Sequence, residues 1–292
     1  MGPLNYKKTI ENIRRELKTH LINNNLKSMT VGVSGGIDSA LVCALAYPVA
    51  KELGIELIGR SITIESNKLD EIERARDIGE YFCTNFKEVD LTNEYLRIKH
   101  SISDDDIIID RIESNKEKKI RFGNIKARLR MIHLYDIAQK NKGFGLSTDN
   151  YTELLLGFWT LHGDVFDYGM IQELWKTEVY NITEWISENE NLSNEASNAL
   201  KSMLNAIATD GLGITSSDLD QILPDWKERY TTTREGYVEV DSILENYLAE
   251  EYVHGDAANI DHIVIKRVLT TKFKRNNPIN LKRKDIVEYA VE

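Results

Sequence analysis

Apolar residues at Ile10, Ile13, Leu17 and Leu21 recur at three- and four-residue intervals among charged neighbours, which predicts an amphipathic helix over Tyr6 to Asn23. The period then changes. Met29-Thr30-Val31-Gly32-Val33 is a short β-branched run, and behind Ser34-Gly35-Gly36 the stretch Ala40 to Ala46 is apolar throughout and unbroken until Pro48. This order predicts a strand, a glycine turn and a buried helix. A second strand and helix are expected in Ile55 to Ile64 and Leu69 to Phe82, and a third strand in Phe86 to Asp90. A long helix follows in Asn124 to Gln139, then a fourth strand in Gly143 to Ser147 and a fifth near Asp167 to Ile171; helical patterns dominate from Lys176 onward. Strands alternating with helices predict an α/β fold, a doubly wound parallel sheet with helices on both faces.

Two segments interrupt the alternation. Asp104 to Lys119, charged at both ends around Ile107-Ile108-Ile109, reads as a surface excursion. Thr209 to Asp218 is rich in glycine, serine and aspartate, a composition of functional loops, and the wider segment of about 205–236 is expected to be mobile. No repeat or linker divides the chain, so residues 1–292 read as one domain.

Composition narrows the function more than the fold. A formal net charge of -10, with no long basic run, disfavours a nucleic-acid partner. Cys43 and Cys83 form no CxxC pair, which argues against a disulfide framework, a zinc site or thiol chemistry and fits a reducing cytoplasmic setting. No run approaches 18 apolar residues and the N-terminal segment lacks a signal-peptide core, so neither a membrane span nor secretion is expected.

The candidate chemistry begins at Ser34-Gly35-Gly36-Ile37-Asp38-Ser39, between a strand and a helix, where free backbone N–H groups and the helix dipole favour an anion. The glycines open the backbone to phosphate oxygens, Ser34 and Ser39 can donate hydroxyls, and Asp38 would repel the anion unless a bridging magnesium ion intervened. Neither the GxxxxGK[ST] loop nor GxGxxG is present. Downstream, Lys126, Arg128 and Arg130 fit either a solvated basic helix face or an anion site, and Glu153 fits either a helix N-terminal acid or a second magnesium ligand beside Asp38.

The glycine loop is the signature of the PP-loop ATP pyrophosphatases. Gly123 to Met131, Ser147 to Glu153, Gly157-Phe158, His162-Gly163-Asp164 and Lys272 to Pro278 together resemble the ammonia-dependent NAD synthetases. The resemblance implies a sheet of the adenine-nucleotide alpha-hydrolase type and a ligase acting on deamido-NAD with ATP and ammonia through an acyl-adenylate. It implies an ATP site of Gly32, Val33, Ser34, Gly35, Gly36, Ile37, Asp38, Ser39, Thr148, Lys176 and Thr209, with magnesium on Asp38 and Glu153. Asp38, Lys176 and Asp164 are the implied catalytic residues, Asp164 for ammonium, and Arg128, Asp167, Phe273 and Lys274 would hold deamido-NAD. A homodimer without a glutaminase domain is implied. The loop holding Gly211 and Gly213 would close over the nucleotides, since an acyl-adenylate exposed to water hydrolyses. Departures from the family pattern are Leu161 where Lys is usual, Phe273 where His is usual, and an insertion around Pro224 to Arg234. The rival readings are a tRNA-modifying PP-loop enzyme and a non-catalytic nucleotide-binding homologue.

Overall fold

The computed structural model describes residues 4–65, 68–102, 114–207, 209, 215–254, 261–278 and 280–286. In chain order the elements are α1 (Tyr6–Asn23), β1 (Ser28–Gly32), α2 (Ile37–Leu53), β2 (Glu56–Thr63), α3 (Leu69–Phe82), β3 (Asn85–Asp90), α4 (Thr92–Ile102), α5 (Asn115–Lys140) and β4 (Phe144–Gly145). The second half is helical: α6 (Tyr151–Leu156), α7 (Lys176–Asn189), α8 (Asn194–Leu204), α9 (Leu219–Ile222), α10 (Trp226–Arg229), α11 (Thr233–His254), α12 (Ile263–Arg275) and α13 (Arg283–Ile286).

The sheet order is β3-β2-β1-β4, every pairing parallel. The chain therefore winds outward from β1 to β3 and then returns to place β4 on β1's other side. That reversal opens a crevice at the carboxyl end of β1, the usual ligand position in such sheets. Helices cover both faces, as the alternation predicts. On one face the core gathers Ile10, Leu17, Leu41, Leu45, Val179 and Leu200; on the other, Ile62, Ile64, Tyr95, Leu129 and Leu134 form a smaller cluster.

Several boundaries differ from the sequence expectation. α2 does not stop at Pro48 but runs through it to Leu53. Proline cannot donate to the carbonyl four residues back, and here that carbonyl, Ala44 O, accepts instead from Arg14 Nη2 at 3.0 Å, while Arg14 Nε reaches Leu45 O at 3.3 Å. The end of the charged excursion is the start of α5, capped by Ser114 and Glu117; residues 103–113 lie outside the described residues. The fifth strand reduces to a single bridge between Leu146 and Tyr168. Of the segment 205–236, residues 208 and 210–214 lie outside the described residues, Gly211 and Gly213 among them. The described remainder is not an open loop, because Leu219, Ile222, Leu223 and Trp226 are buried in the main core.

Candidate active site

A cavity of about 330 Å3 lies at the carboxyl ends of β1 and β2, a volume in the range that suits small-molecule ligands. Gly32 to Asp38, Thr209 and Asp164 line it, and Thr148, Glu153 and the deeply buried Lys176 make its floor. Ser39 alone of the expected nucleotide set is not on the lining. Its buried hydroxyl instead braces the loop, accepting from Ser34 N at 3.2 Å and donating to Gly36 O at 3.0 Å. Gly35 has φ +80, and a Cβ there would lie 2.1 Å from Glu71 O. Only glycine lets α3 pack this closely on the loop. Arg74 Nε, from the same helix, donates to Gly35 O at 3.0 Å.

The floor is organised by one lysine. Lys176 is 1% exposed, and its Nζ lies 2.5 Å from Asp38 Oδ2 and 2.8 Å from Glu153 Oε1. Three separate elements deliver these groups: Asp38 stands in the first turn of α2, Glu153 in the first turn of α6, and Lys176 at the first position of α7. Asn150 joins two of them. It caps α6 by accepting from Glu153 N at 3.0 Å and donates through Nδ2 to Asp38 Oδ1 at 2.8 Å. Burial opposes the charge of Lys176, but Asp38 and Glu153 outweigh it and hold the ammonium well above its usual range. Two carboxylates exceed one ammonium, and the excess falls on Glu153: burial and the Asp38 charge push its carboxyl up to about 7 despite Lys176.

Nearby acids share this character. Burial lifts Asp164 to about 6, although Thr160 N donates to it at 2.6 Å and Arg130 and Lys274 favour its charge. Asp149, behind the floor and bonded by Ser147 Oγ at 2.7 Å, is raised well above the carboxylate range by burial and then by Asp164.

The residues expected to hold a dinucleotide do not line this cavity. Arg128 donates to Leu161 O at 3.2 Å, and Lys274 Nζ binds Gly157 O at 2.7 Å and Trp159 O at 2.5 Å. Asp167 accepts from Tyr135 Oη at 3.0 Å and Gly145 N at 2.9 Å, and Phe273 is 54% exposed. Arg128 and Lys274 thus share one neighbourhood, the segment 157–161, outside the nucleotide cavity. Lys126 and Arg130 do line the cavity: Lys126 pairs with Glu65 at 2.6 Å and Arg130 Nε donates to Ile62 O at 3.1 Å. Their spacing of four on a helix places them on one face and Arg128 on another, a signal the sequence carries but its charge count hides. Asn150 was legible too, as the first residue of an Asn-x-x-Glu capping box. Arg60 and Arg74, also on the lining, have no local motif.

Fold and site together define an α/β nucleotide-binding protein of the PP-loop group. The chain belongs to the NAD synthase family, whose model matches residues 9–278. It is 33% identical to the NH3-dependent NAD+ synthetase of Pyrococcus horikoshii over 225 residues, 76% of this chain and 79% of that one. It is 28% identical to the synthetase of the same description from Wolinella succinogenes over 266 residues, 90% of each chain. Among solved structures, the NH3-dependent NAD synthetase of Campylobacter jejuni in complex with the nitrate ion superposes with TM-score 0.67 and 20% identity, covering 96% of this chain and all of that one. The NMN synthetase of Francisella tularensis gives TM-score 0.68 and 18% identity over 96% and 99% of the two chains. At these identities the two structures speak to the fold alone. Among the described residues no helix is long and apolar enough to cross a membrane.

Proposed function

We propose that this chain is an ammonia-dependent NAD synthetase, a ligase that amidates deamido-NAD at the expense of ATP. The observation that carries the reading is Lys176 held between Asp38 and Glu153 beneath a glycine loop at the sheet's switch point, in a chain of the NAD synthase family. A carboxylate is too stabilised to accept an amine directly. In the reaction its oxygen attacks the α-phosphorus of ATP, pyrophosphate leaves, and ammonia then attacks the acyl carbon and expels AMP. Negative charge builds on the phosphates in the first step, where the N–H groups of residues 34–39 and the Lys176 ammonium meet it by placement rather than by covalent chemistry.

Magnesium fits the donor set. Asp38 and Glu153 offer hard oxygens that Lys176 alone does not neutralise, and burial together with the Asp38 charge lifts Glu153. Among the described residues no group of three or more His, Cys, Asp or Glu side chains could hold a metal ion, so ATP oxygens would complete the coordination. When bound, the ion supplies charge neutralisation at the phosphates. Asp38→Asn and Glu153→Gln are each expected to lower turnover at least ~100-fold at ordinary magnesium. Steady-state rates across a magnesium series check this, and near-wild-type rates for either variant would remove the metal assignment.

Thr148 and Thr209 complete the ATP site in this reading. Arg128 and Lys274, at the 157–161 segment, serve deamido-NAD together with Asp167 and Phe273, across the interface of a cytoplasmic homodimer. Asp164 attracts ammonium and takes its proton. A carboxyl raised to about 6 is ionised only above that pH, so kcat/KM for ammonium should fall as pH drops through about 6. Asp164→Asn should lower the rate and erase that limb; a variant that keeps the limb would assign it to another group.

The direct test is NAD formation by the purified chain from ATP, magnesium, deamido-NAD and ammonium. Product with ammonium and none with glutamine alone is expected. Absence of NAD with every substrate present would refute the reading.

A further inference from the structure

We propose that Asp241, on α11, is a positioning residue that sets Lys176 and Glu153 in register through the hydroxyl of Thr152. The inference rests on the function proposed above. Asp241 is 4% exposed and does not line the cavity, yet both its carboxylate oxygens are committed to the elements that build the floor. Oδ1 accepts from Thr152 Oγ1 at 2.6 Å, and Oδ2 accepts from Thr177 N at 2.9 Å. Thr152 is the residue before Glu153, and Thr177 is the residue after Lys176. The chain of bonds then closes: Lys176 N donates to Thr152 Oγ1 at 2.9 Å.

The direction of each bond follows from chemistry. A carboxylate only accepts, so Thr152 must give its single proton to Asp241 and turn a lone pair toward Lys176 N–H. The first N–H groups of a helix have no partner within it. For α7 two of them are taken by Thr152 and Asp241, in place of a side-chain bond from the N-cap residue Trp175. One carboxylate from a third helix thus fixes where α7 starts relative to α6. That offset sets the 2.8 Å separation of Lys176 Nζ and Glu153 Oε1. Thr152 is 0% exposed, so bulk solvent does not reach its hydroxyl.

The consequence is a rate effect with little loss of ATP binding, because a misplacement of about 1 Å can cost about 100-fold in the chemical step. Thr152→Val removes the hydroxyl and keeps the shape; Thr152→Ser keeps the hydroxyl. We expect Thr152→Val and Asp241→Asn each to lower kcat at least ~10-fold, with KM for ATP within roughly threefold, and Thr152→Ser to retain kcat within about threefold. Since both changes act on one chain of bonds, the double variant should be no slower than the slower single one. Amide hydrogen exchange in the full chain without substrates gives a second readout: Thr152→Val should speed exchange at Lys176, and Asp241→Asn at Thr177. Wild-type kcat in Thr152→Val, or effects that multiply in the double variant, would overturn the proposal. If Asp241→Asn does not fold, the Thr152→Val and Thr152→Ser pair decides. A wild-type chain that forms no NAD would refute the proposed function alone, since exchange at the two amides still tests the Asp241 contacts.

Discussion

Lys176→Met is expected to abolish NAD formation, by at least ~1,000-fold, while leaving a folded protein whose stability has become strongly dependent on pH. Lys176 bridges two partly buried carboxylates, so its loss leaves Asp38 and Glu153 without their shared ammonium. Removing one side of a buried ion cluster ordinarily costs about 3–5 kcal/mol. Here the cost can be relieved, because burial and the Asp38 charge push the Glu153 carboxyl up to about 7 even with the lysine present, and its proton is held more tightly without it. The sign follows from linkage. A carboxyl whose pKa in the folded state lies above its unfolded value near 4.5 favours the folded state at low pH, and that contribution is lost as pH rises through the folded pKa. The melting temperature of Lys176→Met should therefore approach that of the wild type at pH 6 and fall well below it at pH 8. An equal deficit at both values would mean that Glu153 does not carry the surplus charge.

That surplus also separates what the sequence discloses from what it withholds. The strand, glycine loop and helix of residues 29–53 are legible because each rests on local chemistry: β-branched residues, a backbone opened by glycine, and an apolar run. Glu153 lies in a segment that resembles the family and Lys176 is implied by the same resemblance, and the structure brings both together with Asp38. Asp241 and Arg74 lie outside any local pattern, since their partners are 64 residues away at Thr177 and 39 residues away at Gly35. Nothing short of the packed fold brings them together. Pro48 shows the same limit from the other side. Its local rule ends a helix, and the rule is overridden because Arg14, on α1, supplies the donors for the carbonyls of Ala44 and Leu45. The cations Arg128 and Lys274 illustrate a third case. Their charges are visible in the sequence, but only the structure reveals that they fasten the carbonyls of residues 157–161, so any ligand they bind must meet them there.

The two loop glycines should fail in different ways, and the difference tests how the phosphate site is held. Gly35→Ala forces a residue with a Cβ into φ +80 and drives that atom to 2.1 Å from the carbonyl oxygen of Glu71. The conformational strain alone is about 1–3 kcal/mol. Backbone cannot rotate away as a side chain can, so either α3 retreats or the loop turns, and Arg74 loses its bond to Gly35 O in both cases. Gly36 has no such obstruction. Its φ is -100, and an added Cβ would meet Ser34 Oγ at 3.4 Å, an ordinary contact. Because Gly36 lines the cavity, its Cβ would stand where phosphate oxygens approach the backbone. Gly36→Ala should therefore melt within a few degrees of the wild type yet show a much reduced stabilisation by ATP. Gly35→Ala should lose both, with a melting temperature lower by roughly 4–8 °C and no ATP-induced rise. Thermal melting of the two variants with and without magnesium and ATP makes the comparison. A Gly35→Ala protein that melts and responds to ATP like the wild type would show that the contact between α3 and the loop does not shape the phosphate site.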